Sequence, residues 1–198
     1  MDIKPILMEI RPIFPTPIAI IPNCITSEER LQLIEVINNI PHNPHDAISG
    51  DGLSTHKQAP NLLNISIKKR IQTALDEYNT GCGYKLSKLG NIWSNIQNSG
   101  SKLLEHVHPP SLVSGALYIN VGEECKLYFH NPNPYVYYTV CSDTTPYTFE
   151  YNWIPVHNCE LILFPSWLKH GKNDYINKMD GRMVVSFNSY TKHTFADI

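Results

Sequence analysis

From residue 84 to residue 190 the chain repeats the two-residue period of β-strands. Candidate strands cover 91–97, 112–121, 126–129, 135–140, 147–151, 159–165 and 182–190. In 113–121, Val113, Gly115, Leu117, Ile119 and Val121 share one face, and Ser114, Ala116, Tyr118 and Asn120 the other. In 182–190, Met183, Val185 and Phe187 oppose Arg182, Ser186 and Asn188, with Val184 among the latter. Many short strands with one dry face fit a β-sandwich or jelly roll. The polar face is turned either to water, as in an ordinary sandwich strand, or into a cavity. Tyr118 and Arg182 on that face favour a cavity suited to a small acid, because a guanidinium grips a carboxylate at two points.

Before residue 84 the period changes. Thr26-Ser27-Glu28-Glu29 is a capping box that opens a helix, with Leu31, Ile34, Ile37 and Leu33 supplying its apolar face. A second helix is expected over 61–79, where Leu63, Ile67, Ile71, Leu75 and Tyr78 form one stripe. Gly81-Cys82-Gly83 breaks it. Ile18–Ile21 reads as a short strand among prolines. Residues 41–60 read as a polar loop, long enough to act as a lid. Its His42, His45, His56, Asp46 and Asp51 match no metal-ligand spacing and are taken as solvated. Helices followed by strands give an α+β class: a double-stranded β-helix (jelly roll, cupin-like) core with N-terminal helices packed on one sheet. One domain is expected over residues 1–198, helical in 1–83 and β-rich in 84–198.

Composition narrows the function classes. A net charge of −2 over 198 residues offers no bulk attraction to nucleic acid. Five cysteines, an odd number without a C-x-x-C pair, point to free thiols in a reducing compartment. Prolines at 5, 12, 15, 17 and 22 break up the apolar N-terminal stretch, which is therefore neither a signal-peptide core nor a membrane helix. A cytoplasmic protein without a membrane partner is expected.

The chemistry centres on His106-Val107-His108-Pro109-Pro110, at the mouth of the 112–121 strand. Two histidines one residue apart on extended chain point the same way, with Cα atoms roughly 6.6 Å apart. Their imidazoles can converge on one metal ion, and a third ligand must come from elsewhere. His170, followed by Gly171, lies just past the apolar run 159–165, at a sheet end between the two strands with polar faces. His130, His157 and His193 have no partner spacing and read as solvated or locally bonded.

Four motifs in order then resemble a known family: His106-Val107-His108-Pro109; Ser114-Gly115-Ala116-Leu117-Tyr118; Phe164-Pro165-Ser166-Trp167-Leu168-Lys169-His170; and Arg182-Met183-Val184-Val185-Ser186-Phe187-Asn188. Phe14-Pro15-Thr16-Pro17 and Trp93-Ser94-Asn95 fit as well. The pattern resembles the non-haem Fe(II), 2-oxoglutarate-dependent oxygenases, closest to a little-characterised branch with H-x-H-P and F-P-S-W-x-x-H motifs. That resemblance implies that His106, His108 and His170 hold the metal. It also implies that Arg182 pairs with the far carboxylate of 2-oxoglutarate, assisted by Tyr118 and Ser186, with Asn95 facing the site. The implied reaction consumes O2 and 2-oxoglutarate, hydroxylates a small molecule or protein side chain, and releases succinate and CO2.

The commoner pattern in such enzymes is H-x-D. Here the aspartate position holds His108, and Glu105 would point to the opposite face. Either the site is three-histidine, or one histidine stands outside the coordination sphere and a distant acid coordinates. A three-histidine set accepts Fe(II), zinc or another divalent ion. Two other classes stay open at this point. One is a cupin-like binding or structural module, with Trp153, Trp167, Tyr135, Tyr137 and Tyr138 as a sugar- or partner-binding surface. The other is a three-histidine dioxygenase that uses no oxoacid, in which Arg182 grips the substrate.

Overall fold

In the computed structural model the described residues are 9, 13–58, 60–136 and 142–191. Cys141, His193, Tyr137, Tyr138 and positions 137–140 of the strand expected at 135–140 lie outside them. Among the described residues, ten strands and two helices follow in the order β1 (Ala19–Ile21), α1 (Ser27–Asn38), β2 (Ile48–Ser49), β3 (Gly52–Ser54), α2 (Ile65–Cys82), β4 (Lys88–Gln97), β5 (Lys102–Leu103), β6 (Val113–Asn120), β7 (Lys126–His130), β8 (Tyr151–Pro155), β9 (Leu161–Pro165) and β10 (Arg182–Tyr190).

Six strands form one sheet in the order β1-β9-β6-β10-β4-β3, and the pairs β2-β5 and β7-β8 form two small ones. All pairings are antiparallel. The fold is a double-stranded β-helix with the helices on one sheet. The dry face of the large sheet, with Val113, Leu117, Leu161, Val185 and Phe187, packs against Leu33, Ile37, Ile67, Ile71 and Leu75 of the helices. Each such side chain, fully buried, contributes roughly 1.5–3 kcal/mol. On the other face Ala116, Tyr118, Ile162, Phe164 and Val184 meet Leu127 and Phe129 of β7. The large sheet is therefore a shared wall, with a helical core behind it and a cavity in front.

Local chemistry sets the helix ends. The Thr26 hydroxyl accepts from Glu29 N at 3.1 Å and the Glu29 carboxylate accepts from Thr26 N at 2.8 Å, so both halves of the capping box are made. On α1, Leu33 and Ile37 are buried, but Leu31 is 62% exposed and lies off the expected apolar face. α2 starts later than expected, at Ile65, because the Asn64 side chain accepts from Ile67 N at 2.9 Å and caps it there. It runs through Gly81 and ends at Gly83, which takes the left-handed conformation (φ +70°) that glycine adopts without a steric penalty.

Three further expectations are corrected. The strand expected at 147–151 forms at Tyr151–Pro155, because Thr145 and Thr148 hydroxyls bond nearby backbone groups and fold 143–148 into a turn. Val121 lies beyond the end of β6 and joins the cavity-side cluster rather than the helical core. The 41–60 loop contains β2 and β3, and β3 extends the large sheet by pairing with β4. Among the described residues no helix is long and apolar enough to cross a membrane. The four described cysteines, Cys24, Cys82, Cys125 and Cys159, are free.

Candidate active site

The structure brings His106, His108 and His170 together at one end of the cavity. Their potential ligand atoms all lie within 4.8 Å of one another. Ring centroids are 4.8 Å apart for His106–His108, 4.3 Å for His106–His170 and 5.0 Å for His108–His170. The backbone does the gathering. His106 N donates to His170 O at 3.0 Å and His170 N to His106 O at 3.1 Å, while His108 N donates to Ser166 O at 3.0 Å. The two strand-like segments can close this far because Gly171 follows His170. Its φ is +88°, and a Cβ there would stand 2.4 Å from Leu104 O.

Protonation is set by the same backbone. His106 Nδ1 lies 2.7 Å from Leu104 O and His170 Nδ1 3.0 Å from Leu168 O. A carbonyl only accepts, so each Nδ1 carries the proton and each Nε2 offers a lone pair. Burial is the largest cause that keeps all three rings neutral; repulsion from His106 comes next for His108 and His170, whereas at His106 the bond to Leu104 O works the other way and His56 adds to the lowering. The pKa of His108 is pushed down to about 3, that of His170 well below the ordinary 6.5, and that of His106 is also lowered. Neutral, oriented imidazoles with converging lone pairs fit a divalent cation.

Glu105 does not join them. Its carboxylate accepts from the Tyr151 hydroxyl at 2.9 Å and from Lys169 at 3.4 Å, on the far side of the strand. His130 stands beside it, 3.5 Å from Oε1, and His157 is exposed next to Glu160. Among the described residues no carboxylate belongs to the histidine cluster.

The histidines open into a cavity of about 590 Å³, which Arg182, Tyr118, Ser186 and Asn95 also line. Arg182 is buried and has no carboxylate partner among the described residues. Its guanidinium donates to Gln97 Oε1 and, at 3.1 Å, to Cys125 Sγ, and it lies 5.8 Å from the Tyr118 ring centre. Asn95 Nδ2 donates to Ser186 Oγ at 3.3 Å. A buried, unneutralised cation is costly unless an anion joins it.

Two wall residues went unpredicted. His45 and His56, read from sequence as solvated, line the cavity. Their rings are 4.8 Å apart, His56 is 4.8 Å from Trp93, and Trp93 is 5.7 Å from His108. His42 bonds Ser94 Oγ at 2.9 Å and helps to hold this segment. Only the pairing of β3 with β4 brings them here, and local spacing carries no sign of it.

Residues 91–188 match the family described as "Putative 2OG-Fe(II) oxygenase". Over that segment the chain is similar to the 2-oxoglutarate/Fe(II) oxygenases. Iron(II), 2-oxoglutarate and O2 are the metal and co-substrates that go with that family match. Similar solved structures include an oxidoreductase of the 2OG-Fe(II) oxygenase family from Burkholderia pseudomallei (11% identity, TM-score 0.59, 87% of this chain and 85% of that one). HygX from Streptomyces hygroscopicus, solved with nickel and 2-oxoglutarate, is another (11%, 0.60, 90% and 84%). A Pseudomonas putida prolyl-4-hydroxylase is a third (14%, 0.52, 88% and 91%). At such identities the likeness is one of fold. No curated protein matches this sequence.

Proposed function

We propose that this chain is an Fe(II)- and 2-oxoglutarate-dependent dioxygenase that hydroxylates a substrate seated in its cavity. The observation that carries the proposal is the pairing, in one cavity, of three convergent neutral imidazoles with a buried Arg182 that has no acid partner among the described residues. Bound Fe(II) and the oxoacid supply the activation of O2 and the oxidation of a C–H bond, with succinate and CO2 released. The chain's own residues do the rest. His106, His108 and His170 hold the ion through Nε2, with the proton kept on Nδ1 in His106 and His170. Arg182 takes the far carboxylate of the oxoacid in charge-assisted hydrogen bonds. Tyr118, whose burial raises its pKa, stays a neutral donor beside it. Ser186, oriented by Asn95, offers a further hydroxyl. The shared core of both helices with β6, β9 and β10 favours reading residues 1–198 as one oxygenase-like domain.

The test is anaerobic addition of Fe(II) and 2-oxoglutarate while watching for the visible metal-to-ligand charge-transfer band, followed by O2 and assay of succinate. The proposal expects a band in the wild type and its loss in Arg182→Ala. No band in the wild type, or an equal band in the variant, overturns it.

A further inference from the structure

A chain of hydroxyls runs behind the cavity wall. Ser111 Oγ lies 2.6 Å from His108 O and 2.6 Å from Ser166 Oγ. Ser166 Oγ lies 2.8 Å from Ser114 Oγ, and Ser114 Oγ lies 2.8 Å from the Asn188 side-chain amide. Ser114, Ser166 and Asn188 are buried. Four contacts need four protons, and three hydroxyls supply three. His108 O can only accept. If Asn188 also turned its oxygen to Ser114, one buried O···O contact would hold no proton and two lone pairs would face each other out of reach of water. A half-turn of the amide exchanges its oxygen and nitrogen and removes the deficit. The chain then runs one way: Asn188 N–H to Ser114, Ser114 to Ser166, Ser166 to Ser111, Ser111 to His108 O.

The half-turn decides what the cavity presents. Asn188 lines it, and with the nitrogen committed to Ser114 the free end is the carbonyl oxygen. In the same cavity lining, Asn91 Oδ1 accepts from the Tyr190 hydroxyl at 2.8 Å, which turns the Asn91 N–H groups to its other end. The register of β10 against β4 slips between Phe187 and Ser189, which sets Asn188 against the Gly90–Asn91 segment. Along β10 this corner is six residues from Arg182, roughly 20 Å at strand rise, beyond the reach of an oxoacid held by the guanidinium.

We infer that Asn188 and Asn91 form the specificity corner for the prime substrate, an acceptor beside a donor that receives an uncharged donor–acceptor group such as a carboxamide or hydroxyl. The assignment of the corner to substrate rests on the oxygenase reading above; the orientation of the amide does not. Nuclear magnetic resonance on the zinc-loaded, 2-oxoglutarate-saturated protein tests both without turnover. The Asn188 side-chain amide protons should show cross-relaxation to the Ser114 Hβ protons and slow exchange with water. Rapid exchange with no such contact overturns the orientation. Titration with acetamide should shift the Asn188 and Asn91 side-chain amide signals. Acetamide should bind at least about fivefold more tightly than N,N-dimethylacetamide, which has no donor, and Asn188→Leu should abolish the difference. Equal affinities, or no shift at either signal, overturn the corner. Failure of the charge-transfer band with success here would leave a binding corner in a protein that is not an oxygenase.

Discussion

His108 Nε2 stands 3.2 Å from His170 Nε2, and His170 has already committed its only proton to Leu168 O. Without an ion, the proton between the two nitrogens must come from His108, whose Nδ1 has no partner among the described residues. Binding a cation turns both nitrogens into lone-pair donors, so His108 must move its proton to Nδ1. Histidine ¹⁵N spectra should show the Nε2–H tautomer of His108 in metal-free protein and the Nδ1–H tautomer after zinc is added. His106 and His170 should keep one tautomer throughout.

Removing any of the three imidazoles should weaken metal binding by more than the roughly 10–100-fold that the loss of an outer hydrogen-bond partner costs. His108→Asp should differ from His108→Ala. A carboxylate there supplies a hard ligand suited to Fe(II), so the aspartate variant should bind Fe(II) within about tenfold of the wild type. Competition against a metal-binding dye distinguishes the two.

Arg182→Ala should raise the dissociation constant for 2-oxoglutarate by at least ~30-fold, the low end of the 2–5 kcal/mol expected for truncating one member of a buried charge pair. Arg182→Lys should recover only part of this, because an ammonium cannot form the two-point contact. Titrating the charge-transfer band gives the constants directly.

The depressed imidazole pKa values dictate how the metal-free protein responds to acid. An unfolded His108 takes its proton near 6.5, the folded one only near 3. Between those values the unfolded chain binds the extra proton, so stability is complete above pH 6.5 and falls as pH falls. The slope is about 1.4 kcal/mol per pH unit for each such histidine. Thermal melts of metal-free protein from pH 7 to pH 4.5 should show this loss, and a saturating metal should move its onset to lower pH.

Ser166→Ala removes the middle of the hydroxyl chain that reaches the carbonyl of His108. It should cost about 1–3 kcal/mol of stability and shift the visible spectrum of the cobalt-substituted protein. Ile71→Ala, in the helical core, should cost about 2–5 kcal/mol and leave that spectrum unchanged.

Much of the fold could be read from local pattern, because alternation in 113–120 and 182–190 is a property of consecutive residues. The capping box at Thr26 and the stripe from Leu63 to Tyr78 were visible for the same reason. Convergence of His106 with His108 follows from extended geometry, and the placement of His170 and Arg182 from motif order. The wall formed by His45 and His56 was hidden, since it depends on β3 pairing with a strand some forty residues later. Leu31 shows the opposite failure, an apolar residue at a plausible helical position with no neighbouring surface to cover it.

Position 171 reaches further than its size suggests. The cluster depends on two stretches of main chain passing so closely that a single methyl group would be driven into the oxygen of Leu104. Gly171→Ala would therefore wedge His106 away from His170 and pull the three imidazoles apart with none of them replaced. Whoever transplants these three histidines onto another scaffold must carry across that empty space as well.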